Sequence, residues 1–320
     1  GEPGRSGAHH SRCDIRLATA PSDRVWNSAR ARLAPPADRL KTAEDHGSGG
    51  TELKVVIVGG VAGGASCAAR LRRLDEHAEI VMVERGRYVS FANCGLPYHV
   101  GDVIAEESDL LVANERVFRE HFGIDCRTGC EAIDISTADK TVQLRDVDTG
   151  EVTTEPYDKL VLAPGAPSIR PPIPGIDLPG VFALRTVPDA RQIREWIERG
   201  TSFLVGMERY SGFQTVRPPM CAVVVGGGFI GLETAENLAR RGFEVTVIEM
   251  ADQVLGPLDH EYGRLAGDYL ENNGVNVVTG DGVASIEPGE HETLRVTTRS
   301  GVSYKADIVT LGLGVKPDTT

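Results

Sequence analysis

The sequence contains no apolar run that approaches the roughly 18 residues needed to cross a membrane as a helix. It also lacks the pattern of a signal peptide, because the first 20 residues include no continuous apolar stretch. We therefore expect a protein without a membrane partner.

Basic charge is in deficit, since 34 Lys and Arg residues stand against 46 Asp and Glu residues, for a formal net charge of −12. A nucleic-acid binder usually carries a basic domain, so we expect no nucleic-acid partner. A local basic patch for a phosphorylated substrate is still compatible with this balance. Aromatic residues make up only 5% of the chain, whereas its 37 glycines indicate close approaches of the backbone to ligands.

Cysteine is scarce, with six residues in 320. So few cysteines do not make a disulfide scaffold, and we expect a reducing, cytoplasmic location. The spacing of Cys126 and Cys130 matches no zinc pattern, because no second pair lies at ligand spacing, and no metal site is expected. We interpret four cysteines as structural: Cys67, Cys126, Cys130 and Cys221.

Residues 1–53 mix Arg, Ala, Pro, Ser and Gly without an apolar period and end in a Gly-Ser-Gly-Gly run. This composition predicts a disordered extension. The chain begins with Gly and not with Met, which is typical of a fragment or of a processed product.

An ordered pattern begins at Lys54. The all-apolar run Val55–Val58 is typical of a strand buried on both faces. Glycines follow, then a predicted helix over Ala65–Leu74. A second buried strand, Ile80–Val83, ends at Glu84. Such a unit forms a right-handed parallel crossover.

The same order returns later in the chain. The strand Ala222–Val225 leads into a glycine-rich turn, and a helix then runs to about Arg241. The strand Val245–Ile248 ends at another acid, Glu249. Two copies of one unit predict an α/β fold with two Rossmann-like dinucleotide-binding units.

The residues between the copies are less regular. Hairpin-like segments occupy about 131–156, and a Pro-rich connector over 171–179 is interpreted as a crossing between domains. Residues 188–199 predict an amphipathic helix with Gly200 just past its end. Residues 201–220 match no period, and we interpret them as a surface insertion.

The second copy carries the G-x-G-x-x-G pattern between strand and helix, at Gly226, Gly228 and Gly231. The first glycine permits the turn, the second lets backbone N–H groups reach a pyrophosphate, and the third lets the helix pack closely on the strand. Glu249 would bind the ribose hydroxyls and repel a 2′-phosphate, and no Arg directly follows it, which favours NADH over NADPH. The alternative is a glycine-rich loop in a non-binding fold.

The first copy is a variant, in which Gly59 and Gly64 hold the outer positions and Val61 replaces the middle glycine. The backbone can still approach a pyrophosphate if Val61 points its side chain aside. Glu84 closes this unit as the ribose acid. A turn that binds no nucleotide is the alternative here too.

Cys94 lies in the segment Ser90–Tyr98, shortly after the second strand of the first unit. Pro97 can begin a helix, which places Cys94 at or just before a helix N-terminus. That position favours a reactive thiolate. The alternative is a buried cysteine that acts as a small hydrophobic residue.

With these motifs, the chain resembles the pyridine nucleotide-disulfide oxidoreductases from about Lys54 to Thr320, apart from 201–220. The turn Gly59–Gly64 and the segment Ser90–Pro97 closely resemble those of coenzyme A-disulfide reductases and their persulfide-reducing relatives. His99 occupies the place where dithiol members carry a second cysteine. The resemblance is therefore to the single-cysteine branch, which forms a mixed disulfide with its substrate.

This resemblance implies an oxidoreductase that moves electrons from NAD(P)H through FAD and Cys94 to coenzyme A disulfide or a related disulfide or persulfide. It implies an FAD-binding domain over 54–168, an NAD(P)H-binding domain over 169–315, and the start of a return to the FAD domain over 316–320. The residues implied at the FAD site are Gly59, Val61, Ala62, Gly63, Gly64, Glu84, Ala163 and Gly165. Those implied at the NAD site are Gly226, Gly228, Phe229, Ile230, Gly231 and Glu249.

The coenzyme A contacts of the family fall on Ser66, Arg70, Arg73, Ser90 and Asn93. Arg70 and Arg73 share a helix face and could bind phosphates, although spacing alone is equally compatible with a solvated basic face. Arg70 also departs from the glutamine expected there.

Two alternatives stay open. Flavin peroxidases and water-forming NADH oxidases of this family carry a histidine where this chain has Ala62, which argues against a peroxidase but leaves an NADH oxidase. The family also continues into a closing FAD segment and a C-terminal dimerisation domain beyond the position of Thr320. We expect a homodimer for a full-length parent, and an inactive nucleotide-binding fragment is the second alternative.

Overall fold

The structure is a computed structural model that describes residues 53–211, 220–290 and 292–319. The extension predicted over 1–53 therefore lies outside the described residues, apart from Leu53. Residues 212–219 of the predicted insertion also lie outside them.

The described residues form fifteen strands and six α-helices. The strands are β1 (Lys54–Val58), β2 (Glu79–Glu84), β3 (Asp125–Thr128), β4 (Cys130–Ser136), β5 (Thr141–Asp146), β6 (Val152–Pro156), β7 (Lys159–Leu162), β8 (Val181–Ala183), β9 (Cys221–Val225), β10 (Glu244–Ile248), β11 (Asn276–Val278), β12 (Val283–Pro288), β13 (Leu294–Thr298), β14 (Ser303–Ala306) and β15 (Ile308–Leu311). The α-helices are α1 (Gly63–Leu74), α2 (Leu96–Val100), α3 (Glu115–Phe122), α4 (Val187–Ser211), α5 (Phe229–Arg240) and α6 (His260–Asn272).

The first sheet contains four parallel strands in the order β3-β2-β1-β7. Val55, Val56 and Ile57 of β1 are almost completely buried, because both faces of the sheet are covered. Each such side chain contributes about 1.5–3 kcal/mol by leaving water. The strands predicted in the first unit are confirmed, and helix α1 begins two residues before the predicted Ala65.

The hairpins predicted over 131–156 form a three-stranded antiparallel sheet in the order β4-β5-β6. Val142 and Leu144 of β5 are fully buried and pack against Val56 and its neighbours in β2. This small sheet therefore covers one face of the first parallel sheet.

The second parallel sheet has the order β11-β10-β9-β15-β8. Its central strand β9 is followed by a glycine turn and α5, as the repeat predicted. An antiparallel sheet of β12, β13 and β14 packs on it through Ile286, Val296 and Ala306. The prediction of an α/β fold with two Rossmann-like units is confirmed.

Helix α4 is longer than predicted, since it does not end before Gly200 but continues to Ser211. Gly200 does not adopt the left-handed conformation of a terminating glycine. Its missing side chain leaves room for Met220, whose Cε would lie 2.9 Å from a Cβ at this position. The prediction that 201–220 is wholly an irregular insertion is therefore wrong for residues 201–211.

Two extended segments join the parallel sheets. Residues 165–169 and 314–318 lie antiparallel, and backbone hydrogen bonds of 3.0–3.1 Å connect them. The Pro-rich connector that follows contains turns and no helix. The two segments that join the parallel sheets therefore lie side by side, close to the first glycine turn.

Among the ranges 53–211, 220–290 and 292–319, no helix is long and apolar enough to span a membrane.

Candidate functional site

The first glycine turn is fixed by backbone contacts. Gly59 adopts a φ of +97°, and its N–H donates to the Val83 carbonyl at 2.8 Å. A Cβ on Gly59 would lie 2.0 Å from the Ala163 carbonyl oxygen, and one on Gly64 would lie 1.6 Å from the Gly59 oxygen. The fold itself therefore requires glycine at both outer positions.

The second glycine turn repeats this geometry. Gly226 adopts a φ of +105° and donates to the Ile248 carbonyl at 2.8 Å. A Cβ on Gly226 would lie 2.6 Å from the Gly312 oxygen, and one on Gly231 would lie 2.0 Å from the Gly226 oxygen. The two turns are thus built in the same way from different sequences.

The middle position of the turn has no such requirement. A Cβ on Gly228 would find its nearest neighbour, the Gly312 oxygen, at 3.9 Å. The equivalent Val61 directs its side chain into the buried cluster that contains Phe91 and Leu96. Val61 therefore points aside, as the sequence required, and both turns have room for a pyrophosphate at the start of a 12-residue helix.

The acids that end β2 and β10 are held identically. Glu84 accepts hydrogen bonds from the N–H groups of Gly60 and Gly86, both at 2.8 Å. Glu249 accepts from Gly227 at 2.6 Å and from Ala251 at 2.8 Å. Each carboxylate is fixed beside its glycine turn and keeps lone pairs that could accept ribose hydroxyls.

A cleft of about 500 Å³ opens at the second turn. Gly226, Gly228 and Glu249 line it, together with apolar residues such as Met250 and Leu313. A partly apolar cleft with a few fixed polar groups is typical of a nucleotide site. Of the other residues expected here, Phe229 is exposed and Ile230 is half-buried at the start of α5.

The remaining residues expected at the first unit lie around its turn. Ala62 and Gly63 are exposed at the start of α1, and a Cβ on Gly63 would lie 3.4 Å from the Ala163 side chain. Gly165 has a φ of +81° just after Ala163, whose N–H donates to the Val58 carbonyl at 2.7 Å. The structure therefore brings these residues together at the carboxyl end of β1.

Cys94 is exposed in a short 3₁₀ turn, Asn93–Gly95, that leads directly into α2. Pro97 lies in the first turn of α2, as predicted. The segment is attached to the first glycine turn, because the Ser90 N–H donates to the Gly60 carbonyl at 2.9 Å. Ser90 has a φ of +47°, a conformation that costs a non-glycine residue energy and is enriched at functional sites.

Asn93, the neighbour of Cys94, lies between the Phe91 carbonyl and the Arg185 guanidinium. With its amide oriented to satisfy both, Asn93 donates to Phe91 at 3.1 Å and accepts from Arg185. Arg185 also donates to the Ala166 carbonyl at 2.9 Å. One arginine thus joins the Cys94 segment to the loop after β7, and no local pattern in the sequence identified it.

The end of α2 is held by two arginines of the second unit. The Asp102 carboxylate lies 2.6 Å from Arg194 of α4 and 3.3 Å from Arg241, which follows α5. The same guanidinium groups donate to the carbonyls of His99 and Val100. Arginines that bind the last carbonyls of a helix stabilise its C-terminus.

A third arginine, Arg191 of α4, binds residues that flank the Cys94 segment on both sides. It contacts the Glu107 carboxylate at 2.7 Å and lies 5.9 Å from the centre of the Tyr88 ring. This contact lowers the pKa of Glu107. The Cys94 segment is therefore fixed to both nucleotide units.

His99, which stands in the place of a second cysteine, has a structural role. Its ring is buried, and its Nδ1 lies 2.7 Å from the Ile104 carbonyl oxygen. The neighbouring Tyr98 is half-buried, and this burial, together with the carboxylates of Glu233 and Glu236, raises its pKa.

The predicted coenzyme A residues fall into two groups. Ser66, Arg70 and Arg73 are exposed on one face of α1, and Ser90 and Asn93 belong to the Cys94 segment. Within the described ranges, Arg70 and Arg73 have no ion-pair partner.

By contrast, Arg72 on the same helix is committed to structure, because it donates to four carbonyl groups, including that of Phe122 at 2.8 Å. The free arginines of α1 are therefore the two that the resemblance singled out.

The four cysteines interpreted as structural lie in the body of the fold, and Cys13 lies outside the described residues. Burial raises the pKa of Cys126 to about 12, and it also raises those of Cys130 and Cys221. Cys67 is half-buried in α1 and packs against the core of the first sheet.

The chain belongs to the pyridine nucleotide-disulphide oxidoreductase family, whose sequence pattern matches residues 53–320. This confirms the resemblance, and membership implies a flavin and a pyridine nucleotide as cofactors.

Among curated relatives, the chain is 34% identical to the coenzyme A disulfide reductase of Staphylococcus haemolyticus over 82% of this chain and 54% of that protein. It is 32% identical to the NADH oxidase of Methanocaldococcus jannaschii over 83% of this chain and 55% of that protein. The chain thus spans about half the length of the curated relatives it matches.

Two solved structures are also similar. The reduced CoADR-RHD of Bacillus anthracis shares 43% identity at a TM-score of 0.75, with 84% of this chain and 45% of that chain covered. A NAD-dependent persulfide reductase from A. fulgidus shares 38% identity at a TM-score of 0.74, with 83% and 47% covered.

Proposed function

We propose that this chain contains the nucleotide units and the thiol of a flavoprotein reductase that uses NAD(P)H to reduce a low-molecular-weight disulfide or persulfide, with coenzyme A disulfide as the first candidate. The observation that carries the proposal is the position of Cys94. Its exposed thiol lies in a segment bonded to the first glycine turn and clamped by arginines to the helices of the second unit. A thiol held between two dinucleotide units is suited to disulfide reduction.

The thiol chemistry follows from this placement. The Cys94 thiolate attacks one sulfur of the substrate disulfide, the substrate S–S bond breaks, and the first thiol leaves. Cys94 then holds the second half of the substrate as a mixed disulfide. His99 cannot act as a resolving thiol, so the mixed disulfide must be reduced directly. Two electrons and two protons return Cys94 to a thiol and release the second thiol of the substrate.

The two glycine turns support a proposal for the position of each cofactor. We propose FAD at the first unit, held by Gly59–Gly64, Glu84, Ala163 and Gly165. When bound, FAD supplies two-electron transfer between nicotinamide and sulfur. We propose NADH rather than NADPH at the second unit, because the Glu249 carboxylate is fixed beside the turn and would repel a 2′-phosphate on the ribose.

We further propose that Ser66, Arg70, Arg73, Ser90 and Asn93 bind the substrate. The free guanidinium groups of Arg70 and Arg73 could form charge-assisted hydrogen bonds with phosphates of a coenzyme A moiety. The proposal is also compatible with a cytoplasmic enzyme that keeps its cysteines reduced, and with a homodimeric full-length parent.

A second candidate function is that of an NADH oxidase, and the match to the archaeal NADH oxidase supports it. In that case oxygen accepts the electrons and Cys94 is not required to bind a substrate.

Replacing Cys94 by Ser tests the proposal in the flavin-loaded protein. We expect Cys94→Ser to abolish NADH-dependent reduction of coenzyme A disulfide, since the serine hydroxyl cannot form the mixed disulfide. Bleaching of the flavin absorbance by NADH should persist, because the nicotinamide site belongs to the other unit. Cys221→Ser is the matched control, since this thiol is half-buried at the start of β9, and it should retain activity. Turnover of coenzyme A disulfide by Cys94→Ser at the parent rate would exclude the thiol mechanism and favour the oxidase.

A further inference from the structure

The second nucleotide cleft contains an arginine that no motif near Glu249 contributes. Arg299 lies at the turn between β13 and β14, 50 positions after Glu249, and it lines the same cleft. Within the described ranges, its guanidinium has no hydrogen-bond or ion-pair partner. An exposed arginine directed along the wall of a ligand cleft is available for a ligand.

The backbone of Arg299 is held in place. Its N–H donates to the Gly282 carbonyl at 2.8 Å, and the next residue, Ser300, donates through N–H and hydroxyl groups to the Asp281 carboxylate. Asp281 in turn donates its N–H to the Glu249 carbonyl at 3.2 Å. A chain of hydrogen bonds therefore fixes the Arg299 turn relative to the ribose acid.

The side chain is directed by a glycine. A Cβ on Gly282 would lie 3.2–3.5 Å from the Nε, Cδ and Cζ atoms of Arg299. The guanidinium end thus lies along the bare backbone of Gly282, which is also part of the cleft. An alanine at this position would press on the Arg299 side chain, which would have to shift by a few tenths of an ångström.

The order of the strands indicates which part of a nucleotide would meet Arg299. The carboxyl ends of β9, β10 and β11 follow one another along the sheet, with about 4.8 Å between neighbours. A pyrophosphate at the turn after β9 places the ribose at Glu249 after β10, and the base one strand further on. The loop after β11 contains Gly282, so the base would lie beside Arg299.

We propose that Arg299 stacks its planar guanidinium on the adenine of the bound pyridine nucleotide and so contributes to affinity for the adenosine half. This inference rests on the proposed nucleotide function of the second unit. Arginine is suited to this contact because its planar group stacks on aromatic rings while its edge keeps hydrogen bonds to water. A 2′-phosphate contact is the less favoured role, because the Glu249 carboxylate lies at the ribose.

Titration calorimetry of the purified protein with NADH, NADPH and reduced nicotinamide mononucleotide tests this inference. The mononucleotide lacks the adenosine half. We expect Arg299→Ala to lower the affinity for NADH and for NADPH by the same factor, about 3- to 30-fold, and to leave the affinity for the mononucleotide unchanged. Arg299→Lys keeps the charge but not the planar group, and should resemble Arg299→Ala. Arg295→Ala, an exposed arginine of the same hairpin outside the cleft, is the control and should bind like the parent.

Other outcomes would overturn the inference. Loss of NADPH binding alone would assign a charge contact with the 2′-phosphate instead of stacking. Full rescue of NADH binding by Arg299→Lys would assign a charge contact with the pyrophosphate. The adenine contact would be ruled out if Arg299→Ala bound NADH with unchanged affinity, or if its affinity fell equally for all three ligands. Either result would leave the proposed function intact. If the unsubstituted chain bound none of the three ligands, the nucleotide function of the second unit would be refuted, and this inference with it.

Discussion

Two glycines of the second turn should separate folding stability from nucleotide binding. Gly231→Ala places a methyl group 2.0 Å from the Gly226 carbonyl oxygen, so the turn or the start of α5 must move. Overpacking of this kind costs typically 1–3 kcal/mol, and a contact with backbone belongs at the upper end. About 3 kcal/mol would lower the Tm of a chain of this size by roughly 6–12 °C.

Gly228→Ala is the matched variant. Its Cβ would lie 3.9 Å from the nearest atom, and its φ of −78° and ψ of 179° are allowed for alanine. Such a substitution is neutral or stabilises by about 0.4–1 kcal/mol. Val61 at the equivalent position packs into a buried cluster, whereas a methyl group on Gly228 would stand in the open cleft that Gly228 lines, so NADH affinity should fall.

The assay pairs thermal unfolding with NADH titration for both variants. We expect a normal Tm and weakened NADH binding for Gly228→Ala, and a lowered Tm for Gly231→Ala. Two results would contradict these roles: NADH binding by Gly228→Ala that equals that of the unsubstituted chain, or an equal loss of stability in both variants. The first result would mean that the backbone at Gly228 does not face the nucleotide.

Two further predictions concern cofactor choice and thiol reactivity. Steady-state kinetics of the flavin-loaded protein should give a higher kcat/KM for NADH than for NADPH, and Glu249→Ala should narrow the difference; an equal or reversed preference in the parent would contradict the role of Glu249. Brief treatment with iodoacetamide at pH 8 should label exposed Cys94, whereas Cys126 should react only after denaturation, because burial raises its pKa to about 12 and keeps it protonated. In the unfolded chain this thiol ionises near pH 9, so the folded state should lose stability as the pH rises above that value. Rapid labelling of Cys126 in the native protein, measured by mass spectrometry, would contradict both its burial and its raised pKa.

Local patterns in the sequence were sufficient for the two nucleotide units. An apolar run such as Val55–Val58 leaves water on both sides only when both faces of its strand are buried. A glycine turn followed by a helix then defines the parallel crossover. The outer glycines were predictable for the same reason, because the close contact of Gly64 with the Gly59 carbonyl arises between residues five positions apart. The position of Cys94 just before a helix with proline in its first turn also followed from neighbouring residues, whereas only the structure shows that the thiol is exposed.

The length of α4 could not be predicted from local sequence patterns. Gly200 resembles a helix end in sequence, but it marks the place where Met220 packs against a continuous helix. The contact partner lies 20 positions away, so no local pattern indicates it.

The arginines around the site depended on tertiary structure altogether. Arg185, Arg194 and Arg241 are isolated charges in sequence, and only the packing of α2 on α4 and α5 brings them to Asn93 and Asp102. Arg299 likewise reaches the nucleotide cleft because the β13–β14 turn is bonded to the loop after β11. The sequence by itself determined the backbone of each nucleotide unit, since glycine turns and buried strands depend on adjacent residues. The tertiary structure decided which charges surround the thiol and the cleft, because a long side chain finds its partner through space and not along the chain.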